Sequence, residues 1–173
     1  MNKIKKPEIL FHGTSSKNLE VLEPKAITMR NKKDGPVVFG THDEVFASIF
    51  MVQMNDSWTD SGHLNDIPYL LIADKQRFLG LDSGGAIYQM PSDTFVNPKF
   101  DKGEKEWASK VSVTPIGKTE YENALDTMIE LGVQVYFVSL EKMNRFKKSK
   151  EATVINSFKS ENQKRDKNVR KFE

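Results

Sequence analysis

Glu8-Ile9-Leu10-Phe11-His12-Gly13-Thr14 is the stretch on which the reading of this chain turns. Glu8 to Phe11 is a short apolar run bounded by polar residues and reads as a β-strand. His12 follows directly, and Gly13-Thr14-Ser15 comes after it. A side chain at a strand end beside Gly leaves room for a ligand to approach the backbone, with its N–H and C=O as binding groups. A plain His-Gly turn reads from the same residues.

Outward from this strand the pattern is one of short strands with a few helices between them. Ser15 or Ser16 is placed to cap a short helix through Leu22, ended by Pro24. Asp34-Gly35-Pro36 is a turn and Val37-Val38-Phe39 a buried strand. Thr41 and Glu44 have the spacing of a capping box, opening a helix with Val45, Phe46, Ile49, Phe50 and Val52 on its apolar face. The polar stretch from Asn55 to Asp66 reads as an exposed loop. Strands are predicted at Tyr69 to Ala73 and, after Gly84-Gly85, at Ala86 to Met90.

Phe100 to Lys105 is charged loop, and Trp107 to Val113 alternates like a strand. Thr119 and Glu122 form a second capping-box pattern, for a helix carrying Tyr121, Leu125, Met128 and Ile129. Gly132 suits the position just past its end. Val133 to Val138 is the last strong strand, and a basic helix runs on at least through Lys150. Strands dominate, with no regular βαβ alternation, so the class is α+β. No dinucleotide-type or phosphate-binding glycine loop is present.

The chain has 173 residues, 38% hydrophobic and 29% charged, the balance of one globular domain. It lacks cysteine, which excludes thiolate chemistry and disulfides. No apolar h-region follows the basic N-terminus, and no run approaches the roughly 20 apolar residues of a membrane span. A cytoplasmic protein without membrane contact is expected. Charge is uneven. From Lys142 to Glu173 eleven Lys or Arg stand against four Asp or Glu, a net +7, leaving −5 on the rest of a chain whose total is +2. The chain thus divides into a body, 1–141, and a basic helical extension, 142–173. That extension is either a solvated helix or a contact for nucleic acid or another polyanion.

Only His12, His42 and His63 supply imidazoles, with no metal-binding spacing between them. No metal is expected.

Leu10-Phe11-His12-Gly13-Thr14, with Asn18-Leu19-Glu20-Val21-Leu22 after it, resembles the first signature of the ADP-ribosyltransferase superfamily. It is similar to that of poly(ADP-ribose) polymerases and NAD-dependent RNA 2′-phosphotransferases. Gly35 to Thr41, then a helix containing Ala47, resembles the second strand and helix of that superfamily. The Tyr of polymerase-like members is absent, with Val38 at its place, or Phe39 if one residue is missing. Glu106, ahead of Trp107-Ala108-Ser109, resembles the late-strand Glu, and Glu104 faces the same way on an extended chain.

The resemblance implies a split, mostly antiparallel sheet with inserted short helices and a C-terminal helical basic tail. It implies NAD as substrate and transfer of ADP-ribose to a macromolecular acceptor. His12 would bond a ribose hydroxyl and the Gly13 backbone the nicotinamide amide, with Thr14, Phe39 and Thr41 completing the NAD site. Phe39 would stack on the ring or belong to the core. Glu106 would stabilise the oxocarbenium-like transition state, since a carboxylate opposes positive charge developing on the sugar. Glu104, following Gly103 between lysines, reads as mobile and solvated. Two other functions fit the residues: a nucleotide- or partner-binding module that keeps the fold without turnover, and a nucleic-acid-binding accessory protein acting through 142–173.

Overall fold

The first strand, β1, runs Ile9–Thr14 and pairs antiparallel along its whole length with β5, Gly85–Pro91, from Ile9↔Pro91 to Thr14↔Ala86. The expected strand ended at Phe11; the ladder instead carries it through His12 and Gly13. The computed structural model describes residues 5–25 and 35–150. Among them the other strands are β2 (Val38–Thr41), β3 (Thr59–Leu64), β4 (Ile67–Ile72), β6 (Glu106–Ser109), β7 (Gly117–Tyr121) and β8 (Gln134–Phe137). The α-helices are α1 (Glu44–Ser48), α2 (Lys75–Leu81), α3 (Ala124–Leu131) and α4 (Leu140–Ser149), with 3-10 turns at Ile49–Met51 and Phe100–Lys102.

Two sheets result. One is five-stranded and antiparallel, in the order β6-β2-β1-β5-β7. The other has the order β3-β4-β8, with β4–β8 its one parallel pair. The class is therefore α+β and mostly antiparallel.

Strand alternation distributes the core into three clusters. On β4, Leu70 and Ile72 join Phe46, Ile49, Phe78, Ile87 and Met128 in a cluster against which Phe11 packs. On the other face of β1 and β5, Leu10, Tyr88 and Met90 pack with Val38, Phe95 and Trp107. Tyr69 and Leu71, on the opposite face of β4, pack with Tyr136, Met143 and Phe146. Met143 and Phe146 of α4 are fully buried. A division between 141 and 142 therefore falls inside a helix that closes a core. Its start was readable: Ser139 accepts from the Lys142 N–H as N-cap.

Four expected features differ. No helix forms between Ser15 and Leu22; the Tyr88 hydroxyl accepts from the Leu19 N–H and donates to the Ser16 carbonyl. Leu22 then bridges to Val113, so backbone groups a helix would use are satisfied from outside. The polar stretch before Ile67 is not a loop: its second half is β3, joined to β4 by Asn65 and Asp66, both left-handed at φ 50° and 63°. That is the backbone of a two-residue hairpin turn. Its polar composition suits an edge strand.

Thr119 to Tyr121 belong to β7 rather than to a helix start. Asn123 caps α3, and Asp82 adds both carboxylate oxygens, to the N–H groups of Ala124 and Leu125. Gly132 ends α3 at φ 110°, as its position predicts. Helix α2 has no counterpart in the sequence reading, because only Phe78 in it is buried and no apolar periodicity marks it. On β6 the ladder stops at Ser109, and Val113 turns to Leu22.

Candidate functional site

Strands β1 and β2 are in register at one position, Phe11↔Thr41. The direction of their peptide groups follows from their other neighbours. Ser92 N–H donates to the Glu8 carbonyl at 3.1 Å, which sets 8↔92 as a bonded pair beside the β1–β5 ladder. Counting by twos, Leu10, His12 and Thr14 turn their peptide groups to β5, and Phe11 and Gly13 turn theirs to β2. Ala108 exchanges bonds with Val96, so its peptide groups point away from β2, and Phe39 and Thr41 point theirs to β1. The position after Phe11↔Thr41 would pair Gly13 with Phe39, and no such pair is in register. The strands fork there.

The fork has a local cause. The Phe39 carbonyl, which would take a β1 N–H, is bonded by His12 Nδ1 at 2.7 Å. A carbonyl only accepts, so Nδ1 carries the proton and the neutral ring keeps an acceptor at Nε2. Burial pushes His12 below its ordinary value of 6.5; the bond to Phe39 works against that, and nearby Lys25 adds to it. His12 is thus a neutral imidazole of one tautomer at neutral pH. That is the form able to accept from a hydroxyl.

Gly13 has a packing duty as well as an open backbone. A Cβ on it would lie 1.8 Å from the Ala47 carbonyl oxygen of α1. No larger side chain fits beneath α1, so a Gly13→Val variant would disturb the fold as well as any ligand contact. Thr14 ends β1, and its Oγ1 accepts from the Ser16 N–H. Phe39 is half-buried and belongs to none of the three core clusters, whereas Val38 is buried in one. Thr41 is buried and its Oγ1 accepts from the Asp43 N–H at 3.1 Å. Asp43, not Thr41, caps α1, accepting from the Phe46 N–H.

Glu106 opens β6 opposite Thr41, so Phe11, Thr41 and Glu106 form a row on one face of the sheet. His12 leaves by the other face. Strand spacing puts the Glu106 backbone about 8 Å from that of Phe39, diagonally across the ladder. Trp107 behind Glu106 is buried. Glu104 departs from its expected mobility: it is half-buried, its N–H bonds the Lys99 carbonyl and its carbonyl takes the Asn97 side chain.

Glu104 and Glu106 both line an open cavity of about 300 Å³ with Phe46, Gly62, His63 and Lys105 among the other walls. Beside it Asp43 Oδ2 takes His63 Nε2 at 2.9 Å and Lys105 Nζ at 3.4 Å. Burial alone would raise the Asp43 carboxyl; the bonds from His63 and Phe46 and the charge of Lys105 outweigh it and hold it at about 2. His42, next to it, accepts from Trp107 Nε1–H at 3.4 Å. Burial, then Lys105, lowers its pKa. Asp43, His63 and Lys105 were absent from the sequence expectations. They come from three separate elements, and only the Asn65-Asp66 turn signal, which places His63 on a strand, was there to find.

No family model matches the chain, and no curated protein or solved structure compared with it does. Among the described residues no helix is long and apolar enough to cross a membrane. Nor, among them, do three His, Asp or Glu side chains group so as to hold a metal ion.

Proposed function

We propose that this chain is an NAD-dependent transferase of the ADP-ribosyltransferase kind, acting on a macromolecular acceptor. The observation that carries the reading is the fork between Gly13 and Phe39. A carboxamide presents one donor and one acceptor in a plane, the complement of the N–H and C=O that Gly13 turns into the fork. His12 offers Nε2 to a ribose hydroxyl, and Phe39 offers a half-buried π-face. The order β6-β2-β1 brings Glu106 to the neighbouring strand, where its carboxylate would oppose charge developing on the ribose. Calorimetric titration with NAD is expected to saturate, and incubation to release nicotinamide. Absence of saturable binding would sink the reading.

A second reading, a nucleotide- or partner-binding module without turnover, is favoured by two placements. Val38, at the place of the family Tyr, is sealed in the core. His12 and Glu106 leave the sheet on opposite faces, so one ligand touches both only by lying through the fork. Binding of NAD without nicotinamide release selects this module.

The nucleic-acid reading rests on 142–173, of which 142–150 are described. There Lys147 donates to the Asp56 carbonyl, Lys150 pairs with Asp60, and Arg145 pairs with Glu141. Salt-dependent binding to a duplex is the measurement that tests this reading.

A further inference from the structure

The cavity beside Glu106 holds an imidazole that the NAD site does not use. Asp43, an ionised carboxylate, can only accept, so the 2.9 Å contact fixes the proton of His63 on Nε2. In the neutral ring Nδ1 is then the basic nitrogen. A second constraint comes from Phe46, whose ring centroid lies 4.5 Å from that of His63 at an interplanar angle of 44°. The imidazole is held at one nitrogen and on one face, and its side chain is 18% exposed, reachable but largely shielded. Asp43 is itself anchored by the Phe46 N–H and by Lys105.

We propose that His63 is the base that takes the proton from the acceptor nucleophile, and that the cavity it shares with Glu106 is the acceptor site for a hydroxyl group. The inference rests on the transferase reading above. The cavity sits at the small end of ligand-site volumes, suited to a side chain or sugar hydroxyl rather than a second nucleotide. Its wall includes Asp66, Glu104 and Glu106, and Lys105 is shared between Asp43 and Asp66. An acidic acceptor would meet those carboxylates. A carboxylate acceptor would also need no base, whereas a hydroxyl is a poor nucleophile until its proton is drawn away.

In the step, the acceptor oxygen forms a bond to C1′ of the nicotinamide ribose. The bond from C1′ to the nicotinamide nitrogen breaks, and its electron pair leaves with neutral nicotinamide. The acceptor proton passes to His63 Nδ1 and then to water. Asp43 is a positioning residue that holds the tautomer. The charged and titratable groups around His63 are Asp43, which caps α1, His42 before it, Asp66 of the hairpin turn, and Lys105, Glu104 and Glu106 at the start of β6, with Lys102 at the rim.

The test uses the full chain, NAD, and methanol as the hydroxyl probe. His63→Gln keeps a donor for Asp43 but has no basic nitrogen. It is expected to slow methanol-dependent nicotinamide release by about 100-fold while NAD affinity is unchanged. Should His63→Gln fail to fold, His63→Asn is measured in its place. An active parent whose rate survives both substitutions overturns the proposal. A parent that binds no NAD, or binds it without release, overturns the transferase reading and this proposal with it. Nitrogen-15 NMR of the histidines reads the tautomer without any turnover: a proton on His63 Nε2 is the expected result, and one on Nδ1 in its place overturns the proposal.

Discussion

The Ala47 carbonyl oxygen of α1 stands 1.8 Å from the place a Gly13 Cβ would occupy on β1. Backbone meets backbone there, and the obstacle belongs to a helix that cannot swing aside like a side chain. Gly13→Ala should therefore destabilise the fold by about 3 kcal/mol through overpacking. Urea unfolding measures it, and an unchanged midpoint would mean that α1 yields without cost. Loss of NAD binding in a Gly13 variant is accordingly no measure of ligand contact by itself.

Asp43 makes a pH prediction. Its folded pKa of about 2 lies below the ordinary 3.8. The unfolded chain thus binds the proton more readily, and the stabilisation is present above about pH 4 and lost as pH falls toward 2. The difference is worth about 2 kcal/mol. Asp43→Asn should lower stability at pH 7 and flatten the acid limb. Denaturation midpoints from pH 7 to pH 2 for both chains check this, and parallel curves would refute it.

His12 has the opposite chemistry and the same direction of effect. Its pKa is lowered by burial from 6.5, so between the lowered value and 6.5 the unfolded state holds more protons. Its stabilisation is full above pH 6.5 and declines as pH falls. His12→Gln should weaken that decline; His42, also lowered, leaves a residual slope. At pH 7, His12→Ala should weaken NAD binding by about 1–3 kcal/mol, the cost of one buried hydrogen bond. Calorimetry reads it directly, and equal affinity would remove His12 from the site.

Phe146→Ala should cost about 3–5 kcal/mol, the range for emptying a buried aromatic site. Phe146 is fully buried against Tyr69, with ring centroids 5.3 Å apart. A melting temperature unmoved by this change would show that α4 is an appendage and would restore the boundary at 141.

Glu106→Gln should reduce nicotinamide release by about 100-fold with NAD binding retained, as expected for loss of transition-state charge stabilisation. Glu104→Gln should change little, because Glu106 alone of the two is in the sheet, opposite Thr41. The reverse outcome would assign the role to Glu104, whose anchored backbone makes it a real competitor.

Elements with a run of apolar residues were legible from composition: the interior strands β1, β4 and β5, together with β8 and the Gly132 end of α3. Elements whose stability comes from partners far along the chain were not. The stretch after Thr14 has helix-capping serines, yet Tyr88, 72 residues beyond Ser16, takes its backbone groups. Edge strands β3 and β7 look like loop or helix start because one side of each needs no apolar residue. The capping pattern at Thr41 was near the true cap, but local spacing does not say which of two oxygens faces the helix.

By itself the amino-acid sequence determined the α+β class, the place of Glu106 at the start of a late strand, and the uneven charge. These depend on alternation, turn residues and side-chain type, all of which are local. Tertiary structure alone decided that β1 and β2 fork at Gly13, that His12 closes on the Phe39 carbonyl, and that Asp43, His63 and Lys105 meet. Lys105 lies 62 residues from Asp43. Nothing local relates groups so far apart, because their approach is set by how two sheets and a short helix share one core, and electrostatics then act on whatever that packing has placed within a few ångströms.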